Sequence, residues 1–326
     1  MFSELVDIKE NNIINVDYEI LSILLKDRTT KKNIIWATDN YESHGPGYFF
    51  SEEITPQKIT SYYGRIIRPR VKKSKSEQEI RIKKKAEVFT PSWICNEQIN
   101  LIDDAWFKKK NVFNRSTNKK WITNKNKIEF PDKNNWQDYI YSLRLEVTCG
   151  EAPYIVSRYD TVTGEIIELK NRIGFLDRKF RVINENTITD QEWLDYSKIA
   201  VKSVYGYDWQ GDNVLLAREN ILYSYIDYYK ERFKKNPQLD LIKEIATIIS
   251  WNIWQMDGIK YVIPNSCKNR ENKYIQTSLF EEDTSNNIEC IGCKKNNPYQ
   301  HLGIYCVIMN WKTNRKNKFV NLINKR

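Results

Sequence analysis

The sequence predicts an α/β fold, a sheet of parallel strands connected through helices. One reason is that β-forming runs at 139–147 and 203–207, and a third strand-like stop near Asp257, each end abruptly at a polar or glycine position. Another is that the segments between them space their apolar residues as helices do. Finally, 326 residues with 40% hydrophobic content can bury a sizeable core, in one large domain or two modest ones. Charged residues are mixed in sign and mean hydropathy is −0.66, which excludes a wholly disordered chain.

From the amino terminus, a helix is expected over 18–25 and a strand over 33–37, broken by Gly45, Pro46 and Gly47. These make a small N-terminal α/β module, 1–64. A basic connector follows at 65–86, where ten Lys or Arg face only Glu77 and Glu79. Such a run fits a nucleic-acid contact or a solvated helix and linker. The main body, 87–263, opens on EVFTP and a helix over 92–107 with Ser92 as N-cap. A polar, Asn/Lys-rich stretch runs to Asn135. The strand 139–147 then delivers a turn at Cys149 and Gly150, and Gly164 and Glu165 form a hairpin tip. A helix over 190–202, capped by Thr189 or Asp190, leads to the strand ending at Asp208. Helices over 213–232 and 239–251 complete the alternation. Each strand stops where an open parallel sheet holds its ligand.

Net charge is +10, from 52 basic and 42 acidic side chains, and favours phosphate-bearing partners. The longest apolar stretches, such as 245–249, fall far short of the ~20 residues that a bilayer helix needs. The first residues lack the charge and apolar core of a signal peptide, so a cytoplasmic protein is expected. Six cysteines, two of them the C-x-x-C pair Cys290 and Cys293, do not resemble a secreted disulfide framework. Cys267, Cys290 and Cys293 with either His301 or Cys306 make a tetrahedral zinc set. His301 is preferred, because Cys306 alternates within a β run. This defines a zinc-knuckle insertion at 264–302, followed by a last strand and tail at 303–326.

EVFTP (87–91), LEVTCGEAPY (145–154), VYGYDWQGDNVLLAREN (204–220) and SWNIWQMDG (250–258) together resemble the adenine-N6 DNA methyltransferases. More specifically, the chain resembles modification subunits of restriction-modification systems over residues 80–260. The resemblance implies a Rossmann-like sheet that binds S-adenosylmethionine and acts on double-stranded DNA. Phe89, Thr90 and Pro91 would close over the cofactor, and the Cys149-Gly150 turn would meet its methionine portion. Glu146 would receive the cationic amino group, Asp208 the ribose hydroxyls, Trp209 the adenine face, and Asp257 the exocyclic amine. Ala152 and Pro153 depart from the family's second turn glycine and narrow the approach.

The family's catalytic N/D-P-P-Y/F string is missing. NNPY at 296–299 follows no strand and reads as a loop. If the zinc knuckle is an insertion, GIYCVIM (303–309) becomes the fourth strand and places Asn310 and Trp311 at its carboxyl end, as amide acceptor and stacking ring for a flipped base. Only 15 residues follow Trp311, so the sheet is expected to be incomplete, and a partner subunit would supply target recognition or missing catalytic elements. Asp39, Asn40 and Tyr41 offer a permuted alternative. Two other readings stand beside the enzyme: a catalytically inactive cofactor- or DNA-binding subunit, and a Mg²⁺ nuclease using Asp160, Glu168 and Lys170.

Overall fold

The computed structural model describes residues 6–131, 135–267 and 289–323. Two short helices, α1 (Glu10–Val16) and α2 (Tyr18–Leu25), begin it, with Asp17 between them accepting from Glu19 N at 2.6 Å. The expected strand at 33–37 is extended but makes only isolated bridges, Lys26 with Asn33 and Ile35 with Glu53. A side-chain amide replaces its missing neighbour: Ile35 N donates to Gln255 Oε1 at 2.9 Å and Gln255 Nε2 donates to Ile35 O at 2.8 Å. Buried backbone groups need such partners, and here one glutamine serves both. The single-turn α3 (Pro56–Ile59) follows, and then α4 (Lys75–Lys85), capped by Ser74 and ended by left-handed Ala86.

Pro91 caps α5 (Ser92–Phe107), so Ser92 is its first residue and not the expected cap. The capping acceptor comes from afar, Asp160 Oδ2 receiving Ser92 N at 2.7 Å. Antiparallel β1 (Asn114–Thr117) and β2 (Lys120–Thr123) lie within the Asn/Lys-rich stretch. The run 139–147, expected to be all strand, starts as helix α6 (Trp136–Tyr141). Asn135 and Asp138 close a reciprocal capping box there, and Tyr139 packs among Trp106, Phe107 and Phe113. Only β3 (Arg144–Val147) remains extended.

After β3 come α7 (Phe175–Asn186), α8 (Asp190–Lys202) with Thr189 as its cap, β4 (Val204–Asp208), α9 (Gly211–Phe233), α10 (Leu239–Asn252) and β5 (Ile253–Gln255). These strands form a parallel sheet in the order β3-β4-β5, with Glu146 beside Gly206 and Gly206 beside Ile253. α9 is buried on nearly all sides, as its weak amphipathicity requires. Arg218 on α9 is fully buried and donates to Leu24 O, Lys26 O, Ile253 O and Ser250 O, tying the N-terminal segment to the sheet.

The last part contains α11 (Ile291–Lys294), β6 (Val307–Asn310), β7 (Arg315–Lys318) and α12 (Val320–Ile323). β6 is not the fourth strand of the parallel sheet; it pairs antiparallel with β7. The hairpin packs Cys306, Ile308 and Phe319 against Tyr207, Trp254 and Met256. Its direction is opposite to β4 and β5: Cys306 lies 3.4 Å from Gln255 O, whereas Tyr205 Oη donates to Met309 O at 3.2 Å. The molecule is therefore mixed α/β with three small sheets among the described residues. No described helix is long and apolar enough to cross a membrane.

Candidate cofactor cavity and metal centre

A cavity of about 960 Å³ opens at the carboxyl ends of β3 and β4. Of the residues expected around a cofactor, it gathers Phe89, Thr90, Glu146, Cys149, Gly150, Asp208 and Trp209. Pro91 caps α5 instead. Asp257 is also outside the lining: its Oδ1 accepts Ile259 N and Lys260 N, both at 3.0 Å, and builds the turn after β5.

Asp208 joins the two strand ends. Its Oδ2 accepts Gly150 N at 2.9 Å and its Oδ1 accepts Gln210 N at 2.9 Å. Burial raises its carboxyl to about 6, against the pull of those N–H donors. Gly150 has φ +53, and a Cβ there would stand 3.1 Å from the Phe89 ring. The glycine therefore allows the turn and leaves room beneath Phe89. Ala152 keeps the left-handed backbone, φ +63, that a second glycine would give. Glu146 is buried and accepts Tyr154 N at 3.3 Å and Ile155 N at 3.1 Å; burial still pushes its carboxyl well above the usual range. Burial raises the Cys149 thiol likewise, so it is no thiolate nucleophile.

Behind this wall lies an ion network that composition concealed. Arg81 of the basic connector is buried and reaches Glu87 at 2.9 Å and Asp212 at 2.8 Å, with the Tyr41 hydroxyl at 3.0 Å. Lys73 lies 3.8 Å from Asp212. Despite burial, Arg81 and Lys73 hold the Asp212 carboxyl down to about 2. Gln210 Nε2 also donates to Glu87 Oε2 at 2.7 Å. The connector is thus partly interior structure; Lys85 pairs with Asp39 at 2.6 Å, and Lys83 and Lys84 remain exposed.

The N-terminal segment supplies cavity wall that the motifs did not indicate. Ala37 O accepts Trp209 Nε1 at 3.1 Å and Asn265 Nδ2 at 3.4 Å, and all three residues line the space. Tyr41 offers no free stacking ring, because its hydroxyl donates to Asp212 at 2.7 Å and its ring lies 4.4 Å from that of Trp36. Only Glu87, the first residue of EVFTP, carried a sequence signal for this layer.

Asn310 and Trp311, expected as the catalytic pair, lie at the other end of the sheet. Trp311 Nε1 donates to Asn252 Oδ1 at 2.7 Å, and Asn252 immediately precedes β5. Lys202, at the end of α8 just before β4 begins, stands 5.2 Å over the Trp311 ring. Asn310 Oδ1 caps the hairpin turn through Lys312 N and Thr313 N. The antiparallel course of β6 is the reason.

Cys267, Cys290, Cys293 and His301 place their ligand atoms within 4.8 Å of one another. Cys290 Sγ and Cys293 Sγ are each 3.6 Å from His301 Nδ1. Zn–S bonds of about 2.3 Å imply tetrahedral edges of roughly 3.8 Å, so this set fits a metal such as zinc. Burial opposes the Cys290 thiolate, but the Leu302 and Cys293 N–H groups bring its thiol down to about 6. Cys306 is fully buried under β5, which leaves His301 as the fourth member. NNPY lies in the loop between Cys293 and His301, where Pro298 O accepts the Tyr305 hydroxyl. Asp160 serves three backbone N–H donors, Ser92, Val162 and Thr163, while exposed Glu168 and Lys170 pair with each other at 3.1 Å. The nuclease reading therefore gains no metal cluster among the described residues.

Comparison with known protein families, with curated protein sequences and with solved structures finds no match to the chain.

Proposed function

We propose that the cavity binds S-adenosylmethionine and that the chain is the cofactor-binding part of an adenine-N6 DNA methyltransferase, a modification subunit with a partial Rossmann-like sheet. The observation that carries this reading is the Asp208–Gly150 link at the ends of adjacent parallel strands, facing a cavity with three carboxylates, Glu87, Glu146 and Asp208, and one cation, Lys85. That donor set fits the group: a ribose diol suits a strand-end carboxylate, and a cationic amino acid suits buried Glu146. Phe89 and Trp209 offer apolar faces for the remainder. Bound there, S-adenosylmethionine would supply an electrophilic methyl group; Asp208 and Glu146 would hold and orient the cofactor, and Phe89 would shield it from water. Cys267, Cys290, Cys293 and His301 would hold structural zinc beside this cavity.

A second reading, a subunit inactive without a partner chain, is favoured by the position of Asn310 and Trp311 at the far end of the sheet. β3 is also an edge strand whose Leu145 and Val147 are exposed. Incubating the protein with methyl-labelled S-adenosylmethionine and duplex DNA, alone and with proteins encoded beside it, separates the two. Labelled N6-methyladenine from the chain alone supports the complete enzyme; label only in the mixture supports the partner-dependent form. Absence of cofactor binding contradicts both.

A further inference from the structure

A second stretch of the chain matches the connector in net charge and contains no acid. Residues 108–127 contain eight Lys or Arg and no Asp or Glu, and all eight are exposed. This stretch contains the β1–β2 hairpin, where Asn114 faces Thr123, Arg115 faces Ile122, Ser116 faces Trp121 and Thr117 faces Lys120. Alternation gives the hairpin two unlike faces. The inner one is fixed by polar contacts: Asn96 and Asn114 exchange amide hydrogen bonds at 2.9 and 2.7 Å, and Asn100 Nδ2 donates to Asn114 Oδ1 at 3.0 Å. Trp121 Nε1 and Thr123 Oγ1 donate to Asn171 at 2.8 and 2.9 Å. The outer face consists of Arg115, Thr117, Lys120 and Ile122, all exposed.

Asn118 and Lys119 form the turn with φ +38 and +61. A lysine thus occupies a left-handed position that glycine ordinarily takes in such turns. Among the described residues, one ion pair involves this stretch, Lys109 with Glu129 at 2.9 Å, exposed on both sides. Lys119 stands 5.9 Å over the ring of Trp93 in the first turn of α5. Asn96 and Asn100 on α5 hold the hairpin, while Gln98 and Ile102 of the same helix line the cavity. Hairpin and cavity are therefore about one helix diameter apart, ~10 Å.

We infer that the β1–β2 hairpin is a nucleic-acid phosphate-binding element, gripping the backbone of duplex DNA beside the cavity. Exposed cations with no acid among them, on and around a rigidly held hairpin, match a polyanion. The intervening exposed residues, Asn111, Thr117, Asn118 and Asn126, bond phosphate and sugar oxygens, whereas a membrane-inserting surface would need apolar ones. This deepens the proposed DNA substrate but needs no cofactor, so its test stands apart from that of the cavity.

Fluorescence anisotropy with the full chain and a labelled duplex of mixed sequence, at several salt concentrations, tests it. Arg115→Gln, Lys119→Gln and Lys120→Gln together should weaken binding about ten-fold or more and reduce the log–log salt slope by about 0.9 for each phosphate no longer neutralised. Lys83→Gln with Lys84→Gln on α4 should have the smaller effect, and both variants should melt like the wild type. An unchanged slope and affinity in the hairpin variant overturns the inference. So does a wild-type chain that ignores duplex DNA yet binds phosphatidylserine vesicles.

Discussion

At Gly150 the chain needs both a left-handed turn and an empty space, because Asp208 pulls its N–H inward while the Phe89 ring lies above. Gly150→Ala is expected to cost about 1–2 kcal/mol through the backbone alone. It should also weaken cofactor binding, since the new methyl meets the Phe89 ring; a thermal melt and a ligand titration measure the two effects. Arg81 carries a different kind of burden. Arg81→Met would leave Asp212 and Glu87 buried without their guanidinium partner, and should destabilise the fold by ~3–5 kcal/mol near neutral pH. The pH dependence has a definite sign. Asp212 titrates at about 2 in the folded protein, below its ordinary 3.8, so its stabilisation is present above about 3.8 and is lost as pH falls through about 2. Urea unfolding of wild type and variant should therefore converge in acid.

Among the elements, the helices were the most legible. Apolar spacing located α2, α5, α8 and α10 closely, because each buries a periodic face against one common core, while α9, buried on nearly all sides, was found from its long apolar content. Shorter elements followed cues that spacing alone does not weigh. α6 took residues from a β-forming run because Asn135 and Asp138 cap each other and Tyr139 joins an aromatic cluster. The β1–β2 hairpin was hidden because its turn is Asn-Lys where Asn-Gly would have announced it. β6 was recognised as extended, yet its direction depended on a polar turn at 311–314 that carries no glycine. The hairpin turn offers a test in which two quantities move oppositely. Lys119→Gly should stabilise the protein by about 1 kcal/mol by relieving the positive φ, while weakening DNA binding by removing a tip charge. Melting and anisotropy on the same variant check both signs.

Across the whole molecule, the motif residues of the cavity were legible as neighbours before any geometry, since Phe89, Glu146, Gly150 and Asp208 do converge. What sequence could not give was the far side of the wall, where Ala37 comes from the N-terminal segment and Asn265 from beside the metal cluster. Asn265 lies two residues before Cys267 and donates to Ala37 O, so the candidate metal cluster and the cavity rim share a short tether. One zinc per chain is expected by elemental analysis, and Cys290→Ser should abolish it. Structural zinc contributes on the order of 10 kcal/mol to local order, so its removal should also loosen the rim and reduce cofactor affinity severalfold. Full metal retention in Cys290→Ser would contradict the assignment of this centre.

Calorimetric titration of S-adenosylmethionine into the purified protein across pH tests the cavity most directly. Asp208 titrates at about 6 in the folded protein, above its ordinary 3.8, so the folded state holds that proton at lower pH and burying the ionised form costs stability as pH rises through about 6. If the proposed cofactor's hydroxyls need the ionised form, protonation of Asp208 should make affinity fall by up to about ten-fold per pH unit below about 6. Asp208→Ala should bind at least ten-fold more weakly at neutral pH, each missing charge-assisted hydrogen bond being worth roughly 1.5–3 kcal/mol. Wild-type binding with that profile, weakened in the variant, is the expected result. No binding at any pH, or equal binding by wild type and Asp208→Ala, would contradict the assignment of this cavity.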